Sequence, residues 1–229
     1  MSILVATPAR LSTPKALVER CGAVVRGLRY PSPWEWRLYL NEQPASAEKY
    51  RPNATARNEL IERFLRPWHE WVLWFDVDII EAPENLVQQL VEIATRRGRE
   101  SGRPQIVAPM VWVERVGEGA PSIPVGGWFY DTGGFQRMDG KFADFVHGVG
   151  GQESAGEGDE VEMLSVGCVY LAPAQLYRQG LRYRPSGGEV EHLSFMREAR
   201  ELGAQVWSTR KVNVLHAYLP KWGEQWHSS

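Results

Sequence analysis

Apolar and polar positions follow two rhythms along this chain, one of period two and one of period 3.6. Ile3-Leu4-Val5-Ala6 is a short strand-forming run closed by Thr7-Pro8, and Thr13-Pro14 opens an amphipathic stretch that predicts a helix through about Arg26. Trp36-Arg37-Leu38-Tyr39-Leu40 alternates and stops at Asn41, which predicts a second strand. The polar, proline-containing segment through Asn53 reads as a loop. From Ala54 to about Leu65 the residues Leu60, Ile61, Phe64 and Leu65 recur at helical spacing, and Pro67 ends the helix. Trp71-Val72-Leu73-Trp74-Phe75 is continuously apolar, as suits a strand covered on both faces. Pro83 then opens a helix with a Leu86, Leu90 and Ile93 stripe and a basic Arg96-Arg97-Gly98 stop, followed by a strand over Ile106 to Trp112. Residues 1–113 thus alternate β and α, the order of a mostly parallel central sheet flanked by helices.

The alternation breaks after residue 113. Between Glu114 and Glu162 glycine is dense, and Gly126-Gly127-Trp128-Phe129-Tyr130-Asp131 and Phe142-Ala143-Asp144-Phe145 insert aromatic clusters. Such a region suits substrate contact or a surface insertion anchored by aromatics. Regular structure resumes with one expected strand, Glu162 to Leu171, and a short helix near Ala174 to Gln179. A helix from about Glu191 to Leu202 stops at Gly203, and a last strand, Val212 to Leu215, ends on His216.

Length and charge narrow the classes. A chain of 229 residues fits one domain. Its net charge of −2 and pI near 6.2 provide no global field toward nucleic acid or anionic membrane, although Arg96, Arg97, Arg99 and Arg103 form a local basic cluster. No apolar run reaches the roughly 18 residues a membrane helix needs, and the N-terminus lacks a secretory pattern, so the expectation is a soluble, cytoplasmic protein without a membrane span. Cys21 and Cys168 form no CxxC pair and read as small core residues. Ten tryptophans suit sugar stacking and core packing equally.

Asp76 and Asp78 carry the candidate chemistry. They leave the apolar strand one residue apart, at the strand end where ligands of open α/β sheets bind. Converging carboxylates favour Mg2+ or Mn2+ and, through them, a diphosphate. The same pair also suits a solvated turn. Neither GxGxxG nor GxxxxGK[ST] occurs in the required setting, which excludes the usual dehydrogenase and P-loop architectures.

The segment Trp68-His69-Glu70-Trp71-Val72-Leu73-Trp74-Phe75-Asp76-Val77-Asp78-Ile79-Ile80 resembles the Asp-x-Asp strand of GT-A fold glycosyltransferases. More narrowly it is similar to the fungal Golgi α-mannosyltransferases of the mannan polymerase complexes. Arg57-Asn58, Tyr130-Asp131 and Glu191 follow in matching order, so the similarity runs from about residue 54 to residue 216. Against that family the expectation is a much shorter protein without an anchor or stem.

That resemblance implies a single GT-A-like domain over residues 1–229, with a nucleotide-binding half at 1–113 and an acceptor-binding half at 114–229 that carries the 114–162 insertion. It implies a hexosyltransferase using GDP-mannose or a UDP-sugar and a carbohydrate or other hydroxyl acceptor, with a nucleic-acid acceptor as a minor option. Asp78 is the implied direct ligand of Mn2+ or Mg2+, with Asp76 on the ribose or supporting the metal, and His216 as a third ligand. Glu191 is the implied acceptor-side acid, a general base in an inverting enzyme and an orienting group in a retaining one, with Glu189 as its alternative. Thr7, Arg10, Arg57 and Asn58 are the implied nucleotide contacts. Lys15 reads as a solvated helix residue. Two other readings stand beside this one: a sugar nucleotidyltransferase, although Ala6 to Leu11 lacks the glycine-rich loop, and a noncatalytic carbohydrate-binding protein.

Overall fold

The computed structural model describes residues 2–41, 51–113, 136–138, 159–184 and 191–217. Among these residues a single nine-stranded sheet carries the helices. The first half builds β1 (Ser2–Arg10), α1 (Lys15–Gly27), β2 (Trp34–Asn41), α2 (Arg51–Phe64), β3 (His69–Phe75), the short β4 (Ile79–Glu81), α3 (Leu86–Ser101) and β5 (Gln105–Val113). The second adds β6 (Gln136–Arg137), β7 (Glu160–Ser165), β8 (Val169–Pro173), α4 (Ala174–Arg178), α5 (Glu191–Glu201) and β9 (Gln205–His216).

Strand order is β2-β1-β3-β8-β5-β9-β7-β6, with β4 paired to β9. β1 lies parallel to β2 and β3, and β5 parallel to β9, whereas β8 is antiparallel to both β3 and β5. β4 and β7 are also antiparallel to β9, and β6 to β7. The sheet is therefore mixed, and the expectation of a mostly parallel sheet is corrected. The cause is local. The apolar run 162–171 is two strands, because Gly167-Cys168-Val169 turns sharply, with Cys168 at φ 57° and Val169 N–H donating to Gly167 C=O at 2.6 Å. β7 stays beside β9, and β8 crosses to fill the gap between β3 and β5. Continuous hydrophobicity hides such a break when the residue at positive φ is not glycine.

β3 is buried from Val72 to Phe75, as its position between β1 and β8 requires, while the edge strand β2 is mostly half-exposed. Pro109 cannot donate to a ladder, and the β5–β9 register breaks there. β9 advances from Thr209 to Asn213 while β5 advances only from Pro109 to Met110, so β9 carries three extra residues (213 − 209 − 1). An odd insertion exchanges the two faces of a strand, and beyond it β9 continues to pair with β4 at Ile79↔His216.

Helix ends follow their caps. α3 continues through Gly98, where the sequence predicted a stop, and ends at Gly102 in the left-handed conformation, φ 70°, whose N–H reaches Gly98 C=O. Gly203, at φ 90°, lies just beyond α5 as expected. No described helix is long and apolar enough to cross a membrane.

Candidate functional site

The ends of β1 and β3, the start of α1 and the first turns of α2 enclose a cavity of about 270 Å³, lined among others by Arg10, Asn41, Asn53, Arg57, Asp76 and Asp78. β3 ends at Phe75, so the two aspartates sit in a turn and not on strand pleats. Asp76 N–H donates to Cys168 C=O, Ile79 N–H donates to Asp76 C=O, and Ala217 N–H donates to Asp78 C=O. The carboxylates come together because this turn is pinned from β8 and β9.

They are then separated chemically. Asp76 is held by Arg57, whose Nη2 lies 2.7 and 2.9 Å from its two oxygens. Arg57 is a buried cation, 2% exposed, with its guanidinium 5.1 Å from the ring centre of Trp74 and 5.4 Å from that of Tyr183. Its Nε and Nη1 have no hydrogen-bond acceptor among the described residues. Burial drives the Asp76 carboxyl up, to about 7, with Arg57 pulling against that rise and the Asp78 charge adding to it. Asp78 moves the other way: burial opposes its charge, but His216 outweighs burial and holds it below the usual carboxylate range.

His216 Nε2 stands 3.0 Å from Asp78 Oδ1, and His216 Nδ1 is 2.6 Å from Ala217 C=O. A carbonyl only accepts, so Nδ1 carries a proton and Nε2 is the nitrogen turned to the carboxylate. Burial works against an imidazolium here, yet the Asp78 carboxylate raises His216 above its ordinary value. A buried carboxylate oxygen and an imidazole nitrogen oriented by a backbone carbonyl are a donor pair suited to a borderline divalent cation. Among the described residues no group of three or more His, Cys, Asp or Glu side chains closes on one point. Asp78 and His216 are the part of the expected ligand set that the fold brings together; Asp76 is engaged by Arg57.

The other candidates fall in distinct places. Glu191 begins α5, is 4% exposed, and accepts a hydrogen bond from Asn53 Nδ2 at 3.2 Å; it lies behind a residue of the cavity wall. Arg10 lines the cavity. Thr7 is buried, with Oγ1 accepting from Trp36 Nε1 at 3.0 Å, which ties β1 to β2. Asn58 uses both polar ends on one backbone position, donating to Tyr183 C=O at 2.8 Å and accepting from Tyr183 N–H at 2.9 Å. Lys15 is exposed and pairs with Glu19. Tyr130, Asp131, Glu189 and the remaining insertion aromatics lie outside the described residues. Asn41, Asn53 and Tyr183 carry no site signal in the sequence; Asn53 sits one residue before the helix start expected at Ala54, in the segment read as loop, whereas α2 begins at Arg51 and includes it.

Three of the four arginines of the basic cluster are engaged internally. Arg96 and Arg97 both pair with Glu160, Arg97 lies 3.8 Å from the centre of the Trp207 ring, and Arg103 donates to Gly203 C=O. A phosphate backbone would have to displace these partners.

An α/β protein with an arginine-backed acidic cleft at its strand ends is the class that this geometry defines. The particular kinship comes from comparison with known proteins: the Anp1 family model matches residues 43–137. The chain is 27% identical over 187 residues to the "Mannan polymerase II complex ANP1 subunit" of Saccharomyces cerevisiae, covering 73% of this chain and 35% of that protein. It is 47% identical over 49 residues to the "Mannan polymerase complex subunit mnn9" of Schizosaccharomyces pombe, covering 20% and 14%. A "Vanadate resistance protein" of Candida albicans is 25% identical over 186 residues, covering 72% and 40%. The chain thus matches well under half the length of each relative. The resemblance to the mannan polymerase subunits read from the aspartate strand holds. It also overturns the cytoplasmic expectation, because mannan polymerase complex subunits are Golgi-associated.

Proposed function

We propose that this protein is a metal-dependent GT-A-type glycosyltransferase that moves a hexosyl group, mannosyl above all, from a nucleoside-diphosphate sugar to an acceptor hydroxyl. GDP-mannose is the first donor to test, because two of the similar proteins are named for mannan polymerase complexes. The observation that carries the reading is the pairing of buried His216 with Asp78, which lines a cavity together with Arg10, Arg57 and Asp76.

In the reaction the bond from the sugar's anomeric carbon to the donor phosphate oxygen breaks, its electrons leave with the nucleoside diphosphate, and the acceptor oxygen bonds to that carbon as it loses its proton. Asp78 and His216 would hold Mn2+ or Mg2+, which would supply charge neutralisation for the departing diphosphate. Arg57 holds Asp76 in a buried ion pair, which leaves Asp76 to support the donor and Asp78 to act as the direct ligand. Arg10 adds a cation on the cavity wall. Glu191 works on the acceptor side, as an orienting group through Asn53 in a retaining reaction or as the base that takes the acceptor proton directly in an inverting one. The protein acts with protein partners, as a subunit of a complex, in keeping with the names of its relatives.

The test is a thermal-shift screen of GDP-mannose and UDP-sugars with and without Mn2+. Metal-dependent stabilisation by one donor, lost in Asp78→Asn, is the expected result. Equal stabilisation in wild type and Asp78→Asn overturns the reading.

A further inference from the structure

Tyr183 lies on no regular element, between α4 and α5, yet its ring is buried and packs against both halves of the site. It stacks on Phe195 of α5 at 4.1 Å between ring centres and 15° between planes, meets Trp74 edge-on at 5.6 Å and 88°, and lies under the Arg57 guanidinium. Asn58, one residue after Arg57 on α2, grips the Tyr183 backbone at both N–H and C=O. The phenol oxygen is buried without a hydrogen-bond partner among the described residues, so it is the ring face and the backbone clamp that hold this contact.

We propose that Tyr183 is a positioning residue: clamped by Asn58 and backed by Phe195, it fixes the Arg57 guanidinium so that Nη2 meets both oxygens of Asp76. Three features make the assignment. Two nitrogens of the buried guanidinium have no hydrogen-bond partner among the described residues, so the π faces of Trp74 and Tyr183 help to set its plane alongside the contacts to Asp76. Trp74 is itself fixed by Nε1–H donation to the Tyr177 hydroxyl at 2.6 Å. The arm from α2 to Tyr183 is rigid because an asparagine amide that donates and accepts on a single residue leaves that residue little freedom. The Tyr183 hydroxyl stays protonated: burial raises it well above its ordinary value, with the Arg57 guanidinium opposing, as a charge and as a neighbouring donor, and the Asp76 and Glu191 charges adding to the rise. The wall is therefore a neutral π surface under a cation, and through Phe195 it links Arg57 to the helix that Glu191 begins.

The effect on the donor rests on the function proposed above; the effect on Arg57 does not. Two double-mutant cycles separate them. In the first, thermal unfolding is measured for Tyr183→Leu, Asn58→Ala and Tyr183→Phe, each in wild-type and Arg57→Gln backgrounds. Tyr183→Leu and Asn58→Ala should each lower Tm, and the Arg57→Gln background should remove about half or more of that loss, as expected for residues sharing one interaction. Tyr183→Phe, which keeps the π face, should stay near wild type. Additive losses in the two backgrounds overturn the proposal, as does a Tyr183→Phe variant as impaired as Tyr183→Leu. In the second cycle, Mn2+-dependent binding of GDP-mannose is titrated. Asn58→Ala should weaken it about tenfold in the wild-type background and less than about twofold with Arg57→Gln. Coupling in the first cycle with no nucleotide-sugar binding by the wild type refutes the function and leaves Tyr183 as the support of Arg57.

Discussion

His216 Nε2 and Asp78 Oδ1 lie 3.0 Å apart at the meeting of β9 and β4, and both groups are largely buried. No neighbouring pair of strands in chain order brings them together; Ile79↔His216 pairing and the Ala217 N–H to Asp78 C=O bond do. The pair predicts a metal dependence with a definite size. At a donor concentration about a hundredfold above Kd, bound ligand adds roughly 2.7 kcal/mol, which for a chain of this length raises Tm by about 5–10 °C. His216→Ala should cut that Mn2+-dependent shift to a few degrees and Asp78→Asn should abolish it. A full shift in both variants, read by differential scanning fluorimetry, would remove the pair from the site.

Arg57 and Asp76 form a buried pair, and the loss of one member strands the other. Asp76→Asn should destabilise the fold by about 3 kcal/mol, because an unpaired guanidinium is left beneath Trp74 and Tyr183. The double variant Arg57→Leu with Asp76→Asn should recover part of that loss. Urea unfolding at constant m checks both, and an Asp76→Asn variant as stable as wild type would contradict the geometry.

Glu160 offers a pH test away from the cavity. Its side chain is only 5% exposed and meets Arg96 and Arg97; burial alone would raise its pKa, but the two guanidiniums hold it below the ordinary glutamate value. A depressed folded pKa stabilises above the unfolded value, about 4.3, and that stability is lost as pH falls through the folded pKa. The stability gap between wild type and Glu160→Gln should therefore be full at neutral pH and shrink below about pH 4. A gap that is the same at pH 3.5 and pH 7, measured by chemical unfolding, would disprove the assignment.

Cys21 should be inert in the native protein. Burial pushes its thiol up to about 12, with the charges of Asp78 and Asp76 adding to the rise. Iodoacetamide at pH 8 should leave Cys21 unlabelled until urea is added, as peptide mapping would show. Labelling of the folded protein at the rate of a free thiol would show that the helix α1 face opens.

The elements of the first half were legible because helical stripes such as Leu86, Leu90 and Ile93, and runs such as Val72 to Phe75, state their burial directly. Their neighbours were not. Parallel order followed from β-α alternation until β8 entered between β3 and β5, and the turn that sends it there depends on a cysteine at positive φ that resembles any other core residue in sequence. The same limit applied to the site. Asp76 and Asp78 announced themselves by charge after an apolar run, and His216 by its place at the end of the last strand. That Arg57 would take Asp76 away from Asp78 depended on how α2 packs beside the end of β3, and that Asn58 would spend both its polar ends on Tyr183 depended on contact with a segment more than a hundred residues later. Asn53 and Tyr183 carried no periodic signal, being polar or aromatic residues outside any repeating pattern.

The β4–β9 ladder has a consequence for folding order. Asp78 and His216 are remote in sequence, so closing the loop between them costs chain entropy that only the completed sheet offsets. β9 must add to β5 and carry its three extra residues past Pro109 before His216 reaches Ile79. During refolding the Asp78–His216 pair should consequently appear in the last kinetic phase, and under the proposed function acquisition of Mn2+ affinity would report the arrival of β9 as a stopwatch for the final step of assembly.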